Sequence, residues 1–507
     1  MYKIAPVLFY FLWFNSNICL AQNITYSTIE KADTKNTNFE ILGKYADNIL
    51  IYKNANRNHK LTIYDKEMKI KENIKLDFIS DKAFNIDFIK YPDFFYVIWQ
   101  FEKGSTTFCR AARMNVNGQV IGSLLHLDST KLGFFSNKVY YTTIWSEDKK
   151  KILIYKKQSK SESFTLVSKI YDENFALLDS IKNTFEFNND RESFTDLQIN
   201  NEGTLAFCKL KENARQEYIN TVEVYFKKIN SPTFSIVDLG LEKQLVQEPV
   251  LKVDNLNNAF LLNTFSYKKA RGNVDGLLSA SFNSTTFSLS KKVVNIFDDS
   301  LRAKLSGKPD WRNAYDNFFL KNIILKKDGG FILITEEYTK QRRFAGNFDD
   351  RLNGGMGGFG GYSSDYYFYN RGYNGYYRPF GETLNSRDIT YNYNDVLLYG
   401  FSKDLKLDWT NVINKTTSDV ETDNFLSFSN MNAGAEVYFL FLQKDNNRQI
   451  LSNHYLQATG NIVRNATLKS REVGYEFMPR LARQTGARQM IMPCMLRNNI
   501  AFAKIDF

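Results

Sequence analysis

Short apolar runs recur along this chain, each entered from a polar turn. They read Ile49-Leu-Ile-Tyr52, Tyr96-Val-Ile-Trp99, Ile152-Leu-Ile-Tyr155, Leu205-Ala-Phe207, Ala259-Phe-Leu-Leu262, Phe331-Ile-Leu-Ile334, Val437-Tyr-Phe-Leu440 and Met490-Ile-Met492. Runs this short, bounded by turn residues and rich in β-branched and aromatic side chains, predict strands buried on both faces. The preceding turns fall near Ala46-Asp47, Tyr91-Pro92, Glu147-Asp148, Asn201-Glu202-Gly203, Asn255 to Asn258, Asp328-Gly329-Gly330, Asn432 to Gly434 and Gln484 to Gly486.

A second hairpin follows most of these runs. Leu61-Thr-Ile-Tyr64 turns at Asp65-Lys66-Glu67, Arg113-Met114 at Asn115 to Gly118, and Lys169-Ile170-Tyr171 at Asp172-Glu173-Asn174. Val396-Leu-Leu-Tyr399 turns at Ser402-Lys403-Asp404 before Leu407-Asp408-Trp409, and Tyr455-Leu-Gln457 turns at Thr459-Gly460-Asn461. Gly, Asn and Asp hold these corners because they tolerate the positive φ of tight hairpins. The two-hairpin unit repeats about every 46 to 58 residues over most of the chain, the signature of a repeat architecture. The fold class is therefore all-β, a single β-propeller in which neighbouring blades pack face to face. An antiparallel sandwich pair or an open solenoid is the rival architecture.

The hairpin count is unequal: eight first hairpins but seven complete second ones. The chain ends one strand into the last, at Asn499 to Phe507, and a strand-like run near the start, Ile24 to Ile29, has no partner of its own. Pairing these two orphans closes the ring and removes an exposed edge, which favours eight blades over seven.

The beginning of the chain adds a location. Lys3, the apolar run Ile4 to Phe14 and Cys19-Leu20-Ala21 before Gln22 have the layout of a secretory signal peptide spanning 1–21, with the propeller domain at 22–507. Cys19 lacks the preceding residues of a lipidation site. No later run reaches the length of a membrane helix, so the mature chain is expected to be soluble. A small outer-membrane barrel fits the alternation at Ala501, Ala503, Ile505 and Phe507, but the other strands carry Lys and Asp too irregularly for a lipid-facing band.

Chemistry-bearing residues are sparse. His59, His126 and His454 sit in different units, and Cys109, Cys208 and Cys494 have no paired spacing, so no metal site, disulfide framework or Ser-His-Asp set is written locally. No phosphate-binding glycine loop or calcium loop occurs. The net charge of +11 comes from Lys scattered over the whole chain, which reads as edge protection and solvation and not as a nucleic-acid footprint. Attraction to anionic envelope polymers or lipopolysaccharide is the alternative reading of that charge.

One segment, 341–390, breaks the repeat. From Phe344 to Glu382 it holds ten Gly, seven Tyr and five Phe; between Gln341 and Thr390 it has no Lys, while Arg342, Arg343, Arg351, Arg371, Arg378 and Arg387 are present. Aromatic faces interleaved with Arg on a scaffold loop suit contact with a protein or glycan. The candidate partner-binding residues are Phe359, Tyr362, Tyr366, Tyr367, Tyr369, Arg371, Tyr373, Tyr376, Tyr377 and Arg378. The bland alternative is a tolerated insertion with no role.

The Ala21-Gln22 junction, Lys327-Asp-Gly-Gly-Phe-Ile-Leu-Ile-Thr-Glu-Glu-Tyr338 and Tyr391-Asn-Tyr-Asn-Asp-Val-Leu-Leu398 with Leu407-Asp-Trp409 resemble a family of secreted propeller-like proteins of the Bacteroidota, most closely over 316–440. The resemblance implies an envelope location and a propeller fold, with Gly329 and Gly330 as a turn and Trp409 packed between blades, and it transfers no catalytic residue. The final blade runs to Phe507 where a sorting domain would follow in surface-exported proteins of that phylum. The expected location is thus the periplasm or the outer membrane's inner face, with release to the exterior as the alternative.

The expected function is a non-enzymatic envelope platform engaging another envelope protein, without cofactor or metal. Two rivals use the channel or rim: a glycan-active enzyme working through paired carboxylates, and a glycan-binding module. No catalytic pair can be chosen from the sequence.

Overall fold

The eight apolar runs become the second strands of successive antiparallel units. The computed structural model describes residues 23–31, 37–132, 139–160, 162–188, 191–212, 218–269, 272–298, 301, 315, 317–342, 347–348, 389–420, 422–445, 448–468, 474–497 and 499–507. These form seven sheets. The first is Thr37–Tyr45, Asn48–Ala55, Asn58–Tyr64 and Ile70–Lys75, and the second spans Ala83–Lys90, Phe94–Lys103, Thr106–Asn115 and Val120–Lys131. The third is Thr142–Trp145, Ile152–Lys160, Ser163–Tyr171 and Leu177–Glu186. In each, strands pair in chain order from the first to the fourth, which is outermost.

The fourth sheet, 192–296, contains nine strands, but only one backbone pair, Ile219 with Val246, joins its two halves. Each half repeats the four-strand order of the sheets before it. The fifth sheet is built on Phe318–Leu325, Phe331–Arg342, Ile389–Phe401 and Leu407–Ile413, and the sixth on Phe428–Asn432, Glu436–Asp445, Arg448–Gln457 and Ile462–Arg464. Among the described residues, seven second hairpins are complete within contiguous chain.

The last sheet takes its outer strand from the other end of the chain. Asn23–Tyr26 pairs antiparallel with Asn499–Asp506, from Asn23 opposite Asp506 to Tyr26 opposite Ala503. Glu30 and Lys31 continue the pairing opposite Ile500 and Asn499. Between them Ser27 leaves the strand, its N–H donating to the Phe502 carbonyl while the Phe502 N–H donates to Ser27 Oγ, each at 2.9 Å. The expected run Ile24 to Ile29 is therefore a broken strand, with its break at 27–29. Tyr26 stacks on Tyr475 at 4.4 Å between centroids.

Apolar clusters lie between consecutive sheets. Tyr52 and Leu61 meet Phe88 and Phe95, Ile98 and Cys109 meet Tyr141 and Ile152, and Phe164 meets Phe207 and Tyr225. Phe226 and Phe260 join the halves of the fourth sheet, and Phe265 and Leu277 meet Phe331 and Tyr399. Ile334 and Leu398 meet Phe439, Leu440 and Leu442 meet Met492 and Cys494, and Ile491 and Phe502 meet Ile49 and Ile51 of the first sheet. Cys109, Cys208 and Cys494 are buried as small hydrophobes within these layers. Trp409 lies between Gly400 and Gly460, where an added Cβ would approach the indole within 2.1 and 2.6 Å, so both positions must stay glycine and the ring packs across the fifth and sixth sheets.

Two units share five residues, Ile49-Leu-Ile-Tyr-Lys53 and Ile152-Leu-Ile-Tyr-Lys156, and the lysines do the same job. Lys156 Nζ reaches Asp128 on the outer strand of the preceding sheet at 2.8 Å, and Lys169 binds the other carboxylate oxygen at 2.9 Å. Lys53 pairs with Glu30, which also accepts from Tyr64 at 2.9 Å and from Lys60 at 3.3 Å. Glu30, supplied by the N-terminal segment, thus stands toward the first sheet as Asp128 stands toward the third.

Candidate functional site at the base of the insertion

The fifth sheet is where the repeat departs from its own pattern. Its second and third strands run 12 and 13 residues, and their ladder continues through Lys340–Tyr391, Gln341–Thr390 and Arg342–Ile389. Two short strands, Asn347–Phe348 and Thr417–Val420, flank this extension on either side. The ends of the segment taken from sequence as a loop, 341–342 and 389–390, therefore belong to a ladder. Phe359, Tyr362, Tyr366, Tyr367, Tyr369, Arg371, Tyr373, Tyr376, Tyr377 and Arg378 lie outside the described residues.

At the base of the extended hairpin the ladder skips residues between the Glu336–Val396 and Tyr338–Tyr393 pairs. Bulges of this kind re-aim side chains. Tyr338, Tyr391 and Tyr393 pack with Phe319 and Leu426 in a buried cluster, with Tyr338 and Tyr393 at 4.8 Å between ring centroids.

Beneath the rings lies a buried set of charges. The Glu336 side chain is 0% exposed and sits between two ammonium groups, Lys321 at 3.0 Å and Lys415, also 0% exposed, at 2.8 Å. Ser427 Oγ donates to Glu336 at 2.6 Å. Lys321 also bonds Ser427 Oγ and the Phe428 carbonyl, and lies over the Phe428 ring at 3.9 Å. Lys415 Nζ donates to the Tyr393 carbonyl at 2.9 Å, and its backbone N–H to Asp395 at 3.2 Å. Tyr393 OH donates to Asp423 at 3.1 Å, and Asp423 is held by both terminal nitrogens of Arg480, at 2.5 and 2.9 Å. The set joins the fifth sheet to the entry strand of the sixth and, through Arg480, to the seventh.

Burial alone would push the Glu336 carboxyl up, but the Lys321 and Lys415 charges outweigh it and hold the group below its ordinary range. Burial pushes Lys321 down to about 8, against the pull of Glu336. Lys415 is lowered for the same reason. Each charged head is engaged by another protein group, so the arrangement fixes geometry. Sequence reasoning missed it, although a signal was there: Thr335-Glu-Glu337 continues the apolar run Phe331 to Ile334 without a turn, which places charge inside a buried strand.

A second concentration of charge lies where the first strands of the first, second and seventh sheets approach one another. Asp87 accepts from Asn85 Nδ2 at 3.2 Å. Its carboxyl is pushed up to about 7, by burial first, with the Thr143 hydrogen bond opposing and the Glu40 charge adding. Glu40 lies 3.9 Å from Arg483 Nε, and Lys90 Nζ donates to the Ile41 carbonyl at 2.8 Å. Burial lowers the Lys90 amine to about 8.

No protein-family model matches the chain, and no curated protein does. Among solved structures it is similar to prolyl oligopeptidase B from Galerina marginata bound to a macrocyclization substrate, at 8% identity and a TM-score of 0.38, over 92% of this chain and 56% of that one. A eukaryotic initiation factor matches at 9% identity and a TM-score of 0.35, over 92% and 89% of the two chains. An α-L-arabinofuranosidase from Fusarium graminearum matches at 11% and 0.29, over 72% and 92%. The chain spans about half the length of the prolyl oligopeptidase it matches. At such low similarity the reading of function rests on the residues described above.

Proposed function

We propose that the chain is a β-propeller of eight four-stranded units, closed by its N-terminal segment, that serves as a non-enzymatic binding or assembly platform in the cell envelope. It is exported, resides in the periplasm or against the outer membrane, and engages another envelope protein through the Gly/Tyr-rich insertion. The closed ring is supported by the eight apolar clusters, the last of which returns to the first sheet, and by Glu30 taking the place toward Lys53 that Asp128 takes toward Lys156.

The observation that carries the functional reading is the buried ion set under the extended hairpin. Burying charges is expensive, and an apolar filling of similar volume would serve stability as well or better. What the ions supply is a fixed direction for two strands that leave the sheet toward a segment of aromatic and Arg residues. The test is capture of envelope proteins by the mature chain, with and without Ser in place of Tyr366, Tyr367, Tyr369, Tyr373, Tyr376 and Tyr377. A partner retained by the parent and lost by the variant supports the reading; identical capture by both overturns it.

A glycan-active enzyme is the second reading, and Asp87 is what favours it. A carboxyl pushed up to about 7 by burial, with the Glu40 charge adding, has the character of a general acid. If Asp87→Asn abolishes a glycan hydrolysis shown by the parent, this reading replaces the platform; if neither protein acts on envelope glycans, it falls.

A further inference from the structure

The outer strands of the sheets differ in how they guard their free edges. An unpaired edge invites another strand, and proteins discourage that with short strands, bulges and Lys. Ser235–Asp238, Ile462–Arg464 and Asn23–Tyr26 have only four, three and four residues. Val120–Lys131 is long, but two register shifts and a positive φ at Gly122 break it. Ile70–Lys75 carries Lys71 and Lys75, and Leu289–Ile296 carries Lys291 and Lys292.

Leu177–Glu186 and Leu407–Ile413 carry fewer of these devices, each with a register shift only at its start, and Leu177–Glu186 is the longer. It is ten residues long and pairs with Ser163–Tyr171 without a shift from Asp179 to Glu186. Among the described residues no strand pairs with its outer side. It holds a single Lys, Lys182, and begins with Leu177, 56% exposed, and Leu178, 36% exposed. Its charges toward the ring are already engaged: Lys227 binds Asp179 at 2.7 Å and Lys209 donates to the Glu186 carbonyl at 3.1 Å.

We propose that this edge pairs with the same strand of a second copy of the chain, antiparallel about a twofold axis through Ile181. Partners across an antiparallel ladder must point to the same face, which restricts the register to even sums of residue numbers. Centring on Lys182 would set two ammonium groups against each other. Centring on Ile181 sets Ile181 against Ile181, Ser180 against Lys182 and Asp179 against Asn183, and brings the exposed Leu177 and Leu178, beyond the register shift, beside Thr184 and Phe185. No like charges oppose, and both exposed leucines gain cover. The two third sheets then form one continuous eight-stranded sheet, an isologous contact that closes at two copies. The proposal rests on this strand alone and holds whether or not the ring is closed.

The test is sedimentation of the purified mature chain from low to high micromolar concentration, together with two variants. The parent should pass from monomer to dimer. Opposed Cα atoms in such a ladder lie about 4.5 to 5.5 Å apart, within disulfide reach, so Ile181→Cys should oxidise to a covalent dimer. Ser180→Lys, at an exposed position, opposes Lys182 twice in the dimer and should weaken dimerisation roughly fivefold or more, with Lys182→Ser restoring it in the double variant. A parent that stays monomeric throughout overturns the proposal. So does a dimer that neither crosslinks through Ile181→Cys nor responds to Ser180→Lys, because it then forms through another surface or register.

Discussion

The first and third sheets carry the same five residues at the same place, yet their lysines are served differently. Lys156 finds Asp128 on a strand that the chain reaches in sequence, and Asp128 is held by a second lysine, Lys169. Lys53 finds Glu30 on the N-terminal segment, which is paired to the last strand of the chain, and Glu30 is backed by Tyr64 and the more exposed Lys60. The fifth sheet goes further: its carboxylate, Glu336, is buried between two lysines and accepts from Ser427 at the entry to the sixth sheet. Side-chain chemistry is shared by all three places, but what each pair holds differs: a neighbouring strand, the chain terminus, or the root of an insertion.

Removing the terminal segment separates these roles most strongly. Deleting residues 22–31 strips the outer strand, the Tyr26–Tyr475 stack and the Lys53 partner, and should produce aggregation or a large fall in melting temperature by scanning calorimetry. A truncated chain as stable and monomeric as the parent would break the equivalence between Glu30 and Asp128. Next in size is Glu336→Ala, which leaves two buried ammonium groups facing each other. Denaturant titration should register a loss of about 3 to 5 kcal/mol, whereas a loss under about 1 kcal/mol would mean the lysines relax to solvent.

A smaller contrast isolates the repeated lysines. Lys53→Met should cost about 1 to 3 kcal/mol. Lys156→Met should cost less, because Asp128 keeps Lys169; equal losses in the two titrations would show that the second lysine adds nothing. Acid sharpens the same point. Burial pushes Glu30 up, but the Lys53 and Lys60 charges bring it net below its ordinary range. A carboxylate lowered in the folded state contributes stability that is present above its unfolded value, about 4.3, and is lost as pH falls through the folded value. Melting temperature should therefore decline with acidification below about pH 4.5, and Glu30→Gln should flatten that decline.

Much of the fold could be read from residues because it is repetitive. Eight apolar runs bounded by polar turns specify strands locally, and the missing second hairpin pointed to the pairing of the two ends; at three corners, however, the positive φ falls on Met68, Phe175 and Leu405 and not on the Asp or Asn read there. The break at Ser27 was not readable, since it depends on reciprocal hydrogen bonds with Phe502. Nor was the candidate site. Lys321, Glu336, Lys415, Asp423 and Arg480 are spread over 160 residues of sequence and converge only when three sheets pack. Local composition revealed the insertion, but the ladder that carries its ends outward depends on register, which periodicity alone does not fix.

The smallest stability effect belongs to the insertion itself, and it decides the central claim. Residues 344–385 should be replaced by a short Gly/Ser linker joining the ends of the extended hairpin, and the variant compared with the parent for melting temperature and for capture of the envelope partner in one experiment. The platform reading predicts an unchanged melting temperature with capture lost. An unfolded variant would place the segment in the core, and a stable variant that still captures the partner would place the contact surface elsewhere; either result contradicts it.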